Sequence, residues 1–417
     1  MSILRRLTFL LFLGLCTLAI VPAAVGQAKI RDLKPTVILL GIDGFRHDYV
    51  DKYDPPHISR LARNGIRAKG LIPAFPTKTF PNFYSIVTGK YPANHGIVDN
   101  SFFDGEQTFR YTNLADAEAS KWWIGEPIWI TAEKQGKRTA TYFYPGSSAA
   151  INDTKATLSR RYNGRVPNEM RIDELVRELG KPTDQRPAFL ATYFSEVDEV
   201  AHEFGPDADE VRYAVLNVDR LVGRLVDALR TRGIADRVHL IIVSDHGLTT
   251  VKTENTVIVD ELVDTNLYAR NPITSRIIWQ FFPKQGKVPE VLRALAAGKG
   301  MKCWEREKFP ERFKYRGSDR IPPIMCVADL GWQLSTRESY DAERRSIDAR
   351  VIRGDHGFDN IHRDMQGVFI GSGSSFKQNV VAEPFENIEI YNLMCKILGL
   401  TPAKNDGDIN RVKHLLR

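Results

Sequence analysis

Cysteine is scarce in this chain, with four among 417 residues. No two stand in a C-x-x-C pair, which excludes a thiolate zinc site and a disulfide-built scaffold. A metal centre, if there is one, must come from histidines and carboxylates. Basic runs are missing as well. Lys+Arg exceed Asp+Glu by 58 to 51, but no stretch concentrates the excess, so binding to a nucleic-acid scaffold is not expected. Low-complexity tracts and internal repeats are absent. The balance of 43% hydrophobic and 26% charged residues is that of a globular chain rather than a disordered or fibrous one.

Long apolar runs are absent with one exception, at the start. Arg5 and Arg6 precede Leu7 to Val21, followed by Pro22 and the small residues up to Gly26. A basic flank, an apolar stretch and a small-residue end read as a secretory signal peptide over 1–26, removed before Gln27. The alternative is an uncleaved N-terminal anchor, since Leu7 to Gly26 is long enough to span a bilayer. Cleavage would change the net charge from +7 to 7 − 2 = +5 by removing Arg5 and Arg6. An exported protein, periplasmic or secreted, with no stable membrane span is expected. Residues 27–417 would form one large domain.

Within it, Thr36–Asp43 is a run apolar on both faces, as buried parallel strands are, and Arg138–Tyr144, Ala188–Phe194 and Val238–Val243 are further strand-like runs. Between them lie helical patterns at Ile58–Asn64, Asn168–Leu179 and Asp209–Arg232, with Gly367–Ile370 as a further strand and Ile388–Leu398 as a closing helix. Alternating strands and helices predict an α/β fold: a mainly parallel central sheet with helices on both faces. The weaker pattern around residues 264–346 predicts a small α+β insertion, including a strand near Arg276–Phe281 and a helix at Val288–Ala297. In such sheets active groups gather beyond the carboxyl ends of the strands.

Chemistry-bearing residues recur at those ends. Asp43 closes the first run, and Asp245-His246-Gly247 follows the Val238–Val243 run. Asp198 and His202, four residues apart after Ala188–Phe194, share one face if helical. His356 opens another acidic turn, HGFDN. Singly, each is also what a surface turn or a cap looks like. Together, three Asp and three His are the N/O donor set that zinc and similar cations accept, enough for two ions with open positions. Two-metal sites suit phosphoryl transfer. Thr79, before Phe80-Pro81 and an apolar helical stretch, stands near a helix N-terminus that favours an anion. It is either a nucleophile or an N-cap.

These strings resemble the catalytic domain of the nucleotide pyrophosphatase/phosphodiesterase family in the alkaline phosphatase superfamily. The resemblance rests on GIDGFR from Gly41, PTKTFPNFYSIVTGKYPANHGIVDN from Pro76, GEPIW from Gly125, YNGRVP from Tyr162, VDEVAH from Val197, SDHG from Ser244 and HGFDN from His356. It covers about Pro35 to Gly407 and is similar to the stand-alone catalytic-domain type known from bacteria. It implies an alkaline-phosphatase-like fold and a hydrolase with two zinc ions. Thr79 would be the transiently phosphorylated nucleophile. Asp43, Asp245 and His246 would hold the zinc beside Thr79, and Asp198, His202 and His356 the second. Asn100 would donate its amide to the phosphate, together with a backbone N–H near Thr79. Phe80, Tyr162 and Tyr193 would line the pocket for a nucleotide or other phosphodiester, and Lys78 would steer an anionic substrate. His95 and His362 match no ligand position.

One departure is visible: Tyr144-Pro-Gly-Ser stands where many relatives carry Trp, and Ser148 and Ala149 replace acidic groups. A nucleotide phosphodiesterase is the leading expectation. The alternatives are a phospholipid-headgroup diesterase, a phosphomonoesterase, or a non-catalytic binding protein on the same scaffold. In an oxidising compartment Cys303 and Cys326, 326 − 303 = 23 positions apart, can pair, leaving Cys395 on the last helix.

Overall fold

A computed structural model describes residues 29–345 and 352–417. The leader predicted over 1–26 lies outside the described residues.

The Thr36–Ile42 strand shows how the core is built. Every residue of it is buried, and alternate side chains enter different layers, as strand geometry demands. Val37 and Leu39 join one apolar cluster, and Ile38, Leu40 and Ile42 join another on the opposite face. On the first face pack the helices Thr79–Thr88, Ile128–Lys134 and Glu389–Leu398. On the second pack Pro56–Asn64, Asn168–Leu179 and Asp209–Thr231. The result is a three-layer α/β fold.

The central sheet has eight strands. Leu158–Arg160, Thr139–Tyr142, Phe189–Phe194, Thr36–Ile42 and Val238–Val243 run parallel to their neighbours in that spatial order. Phe369–Ser372 then pairs antiparallel with Val238–Val243. It also pairs antiparallel with Ile66–Ala68, which pairs parallel with Val380–Ala382. The sheet is thus mainly parallel, with a reversal at one strand. Because Thr36–Ile42 is flanked on both sides by parallel partners, three chain ends emerge together at one edge.

The chain leaves and rejoins this body through an antiparallel pair, Thr249–Lys252 with Ile352–Asp355. Between them a separate four-stranded antiparallel sheet forms, in the order Tyr268–Thr274, Ile278–Pro283, Ile324–Ala328, Met301–Glu305. The helix Val288–Leu295 belongs to the same segment. A short parallel pair, Thr256–Ile258 with Gln333–Ser335, lies at its base, so pairing in this subdomain begins before the expected start at 264. Cys303 and Cys326 stand opposite each other on neighbouring strands and are joined as a disulfide. Cys395 is free and buried. Among the described residues no helix is long and apolar enough to cross a membrane.

Candidate two-metal active site

Three parallel strands deliver the acidic groups to one edge. Asp43 follows Thr36–Ile42, and Asp245 and His246 follow Val238–Val243. Phe189–Phe194 leads into the helix Glu196–Phe204, whose first and second turns carry Asp198 and His202. His356 comes in directly after Ile352–Asp355. Two triads result. The ligand atoms of Asp43, Asp245 and His246 lie within 4.8 Å of one another, and so do those of Asp198, His202 and His356. The triads abut: the rings of His246 and His356 stack with centroids 3.6 Å apart.

Each histidine is oriented by its other nitrogen. His202 Nδ1 meets Gly354 O at 2.9 Å, His246 Nδ1 meets Gly247 O at 3.1 Å, and His356 Nδ1 meets Thr77 O at 2.8 Å. A carbonyl can only accept, so each Nδ1 carries the proton and each Nε2 presents a lone pair to the cluster. These lone pairs face carboxylates. His246 Nε2 lies 2.9 Å from Asp245 Oδ2 and 3.5 Å from Asp43 Oδ1. His202 Nε2 lies 3.4 Å from Asp198 Oδ2, and His356 Nε2 3.9 Å from Asp198 Oδ1.

Acceptors facing acceptors repel unless a cation stands between them. Asp43 Oδ1, Asp198 Oδ1 and Asp245 Oδ2 are moreover buried without a hydrogen-bond partner, a costly state for a carboxylate oxygen. Burial, then the facing carboxylates, push Asp43 and Asp245 well above the ordinary carboxylate range. Burial likewise pushes His246 and His356 down. The residues therefore fit two divalent cations. Six N/O donors, none of them sulfur, suit zinc and its neighbours.

Thr79 is the first residue of the Thr79–Thr88 helix. Its Oγ1 lies 3.3 Å from His246 Nε2, which sets the hydroxyl against the first triad. Asn100 is tied to the same turn: its Oδ1 accepts from Phe80 N at 2.8 Å. The oxygen being taken, the NH2 is the end left to donate. The Phe80 amide is thereby committed to Asn100, so it is not the spare backbone donor expected near Thr79.

Two of the expected pocket residues sit differently from the sequence reading. Lys78 is not an open steering group. It is 6% exposed, and its Nζ donates to His356 O at 3.0 Å, because the 356–358 turn folds over Thr77 and Lys78. Tyr193 is largely buried, and its hydroxyl donates to Asp43 Oδ2 at 2.5 Å. It buttresses Asp43 from behind.

The remaining aromatics form two groups. Phe80 is half-buried beside Tyr111 and Trp123, with centroids at 5.5 and 6.2 Å. Tyr162 is exposed and edges against Phe143 and Tyr193, at 5.7 and 6.4 Å.

Tyr111 escaped the sequence reading. It is 44% exposed, follows the Ser101–Phe103/Thr108–Arg110 hairpin, and donates its backbone N–H to Asn100 O at 2.9 Å. Its ring stands beside that of Phe80, 5.5 Å between centroids, and its phenol is pushed up by partial burial first and then by the field of Asp198 and Asp43. The only sequence signal was the Asp104-Gly105 turn. Tyr144, the departure noted above, is buried and donates to Phe83 O at 3.2 Å. It acts as a core prop behind the helix. His95 is buried among Ser85, Pro81 and Ile97, and neither it nor His362 belongs to a triad.

Comparison with known proteins agrees with this geometry. The profile of the family described as "Type I phosphodiesterase / nucleotide pyrophosphatase" matches residues 37–359. Ectonucleotide pyrophosphatase/phosphodiesterase family member 7 of Mus musculus is 33% identical, over 96% of this chain and 91% of that protein. Family member 1 of Homo sapiens is 36% identical over 92% of this chain, which spans only 42% of that protein's length. Among solved structures, murine ectonucleotide pyrophosphatase/phosphodiesterase 5 superposes with a TM-score of 0.85 at 31% identity, covering 92% of this chain and 100% of that one. That structure is described as an inactive threonine-to-alanine variant in complex with AMP.

Proposed function

We infer that this chain, which belongs to the type I phosphodiesterase / nucleotide pyrophosphatase family, hydrolyses phosphodiester or phosphoanhydride bonds of nucleotides, such as ATP to AMP and pyrophosphate. The observation that carries this reading is the hydroxyl of Thr79 set 3.3 Å from His246, where two abutting His/Asp triads meet. Two divalent cations, zinc by the donor set, would supply Lewis-acid polarisation of the phosphoryl oxygens and neutralise their charge. Asp43, Asp245 and His246 would hold one, and Asp198, His202 and His356 the other.

The chain's own groups then act as follows. Thr79 Oγ1, its hydroxyl proton passing to solvent water, bonds to phosphorus as the bond to the leaving oxygen breaks, and water later hydrolyses the phosphothreonine ester to regenerate the hydroxyl. The positive end of the dipole at the start of the Thr79–Thr88 helix favours the anion held there. The Asn100 NH2 donates to a phosphate oxygen. Phe80, Tyr111 and Tyr162 offer π-faces for a base, a mode of binding that tolerates any base. The Cys303–Cys326 bond belongs to an oxidising compartment and supports export, periplasmic or secreted.

Purified zinc-loaded protein should turn over an aryl phosphate diester and ATP far faster than an aryl monoester. Thr79→Ala should lose turnover by about a thousandfold or more while keeping both metal equivalents. Monoester preference would select the phosphomonoesterase reading. Turnover of phospholipid headgroups alone would select the lipid diesterase, and no turnover at all the binding protein.

A further inference from the structure

Asn100 sits in a loop that the body of the fold holds only in part; the separate four-stranded sheet holds the rest. Gln280, in the Ile278–Pro283 strand, is 1% exposed and reaches across to the loop. Its Nε2 donates to Asp99 Oδ2 at 2.9 Å and to Ser101 O at 2.7 Å. It thus grips the residues on either side of Asn100. Both partners can only accept, so the amide orientation is fixed by chemistry. Asp99 is itself buried, and its other oxygen accepts from Asn100 N at 2.7 Å. The chain of bonds runs without a break from Gln280 through Asp99 to the Asn100 backbone, and from the Asn100 side chain to Phe80 beside the nucleophile. Tyr315 and Arg320 of the same segment bind Val98 O at 2.8 Å and Gly96 O at 2.9 Å.

We propose that Gln280 is a positioning residue for the Asn100 amide, and that the inserted sheet serves to brace the 96–101 loop. The physical case is one of rigidity. A donor contributes to a transition state only if it is held where charge develops. At Asn100 itself the hairpin contributes one backbone bond, from Tyr111 N at 2.9 Å, and a buried carboxylate at Asp99 would sit there only with its hydrogen bonds met. Gln280 supplies one bond to that carboxylate and one to the next carbonyl. This inference rests on the reading of Asn100 as a phosphate donor.

The test is a double-mutant cycle between Gln280→Met, which keeps volume but removes the donor, and Asn100→Ala. In the wild-type background Gln280→Met should lower kcat for an aryl diester about tenfold with KM within about threefold, as for a misplaced catalytic group. In the Asn100→Ala background it should cost less than about twofold more, because the group it positions is gone. Equal losses in both backgrounds, or a loss confined to KM, would overturn the proposal. Tyr315→Phe keeps its ring and removes one bond to the same loop. It should show the same non-additivity if Gln280→Met does not fold. Hydrogen exchange separates this inference from the functional one. If the zinc-loaded wild type proves inactive, the functional reading fails, yet both variants should still speed exchange of the 97–101 amides by about fivefold or more. Unchanged exchange there would overturn the bracing role.

Discussion

The Tyr193 hydroxyl donates to Asp43 Oδ2 at 2.5 Å, leaving Oδ1 as the free oxygen of that carboxylate. The phenol thus decides which oxygen of Asp43 faces His246. Its ring is held separately, edge-on to Phe83 at 5.4 Å. Groups that orient a ligand from behind are worth about 10–100-fold in metal affinity. Tyr193→Phe should therefore weaken zinc binding by about tenfold while KM for a nucleotide stays within about twofold. Calorimetric zinc titration of the apo variant reads the first, and steady-state kinetics at saturating zinc the second. A raised KM with zinc affinity intact would return Tyr193 to a purely pocket-lining role.

Tyr111 offers an exposed π-face next to Phe80, 5.5 Å between centroids. Base–aromatic stacking is worth about 1–3 kcal/mol. Tyr111→Ala should raise KM for ATP and for a dinucleotide by about tenfold, with kcat changed by less than about twofold. The same substitution should leave a small aryl diester nearly unaffected. Equal effects on all three substrates would mean that the hairpin, not the stacking face, had been disturbed.

The difference between what was legible in the sequence and what was not follows the range of the interactions. Strands such as Val238–Val243 announce themselves because a strand buried on both faces is apolar throughout. The convergence of Asp43, Asp198 and Asp245 is legible because parallel neighbours end at one edge. The reversal at Phe369–Ser372 leaves no mark on composition, since a buried strand reads alike in either direction. Lys78 looked like a surface lysine because its partner, the His356 carbonyl, lies 278 positions away. Gln280 carried no signal for the same reason, being 181 positions from Asp99. Tyr111 was hidden by an irregular turn that follows neither helical nor strand periodicity.

The Cys303–Cys326 bond closes a loop of 23 positions within the inserted sheet. Chain entropy alone assigns such a cross-link about 3 kcal/mol. The double variant Cys303→Ser/Cys326→Ser should lose about that much in denaturant unfolding. At 25 °C its zinc-loaded activity should persist, because the two strands keep their backbone pairing. A thiol count should find only Cys395 reactive in the unfolded mature wild type, and that thiol silent in the native state, where burial pushes it up to about 12.

His95 gives the fold an acid limit that is independent of the metal ligands. Its Nδ1 accepts from Ile97 N at 3.2 Å, so the neutral ring carries its proton on Nε2, against Pro81 O at 3.1 Å. Burial pushes this imidazole down to about 3 from 6.5. Between those values the unfolded chain binds the proton and the folded one does not, so stability is present above pH 6.5 and is lost as pH falls toward 3. From pH 6.5 to 5 the loss from this group alone amounts to about 2 kcal/mol. His95→Gln cannot take up that proton. The stability gap between wild type and the variant should therefore shrink by about 2 kcal/mol on going from pH 6.5 to 5, while acid effects common to both cancel. The measurement is denaturant unfolding at the two pH values. A gap that stays constant would show that His95 protonates as easily in the folded chain as in the unfolded one, which its contact with the Ile97 amide forbids.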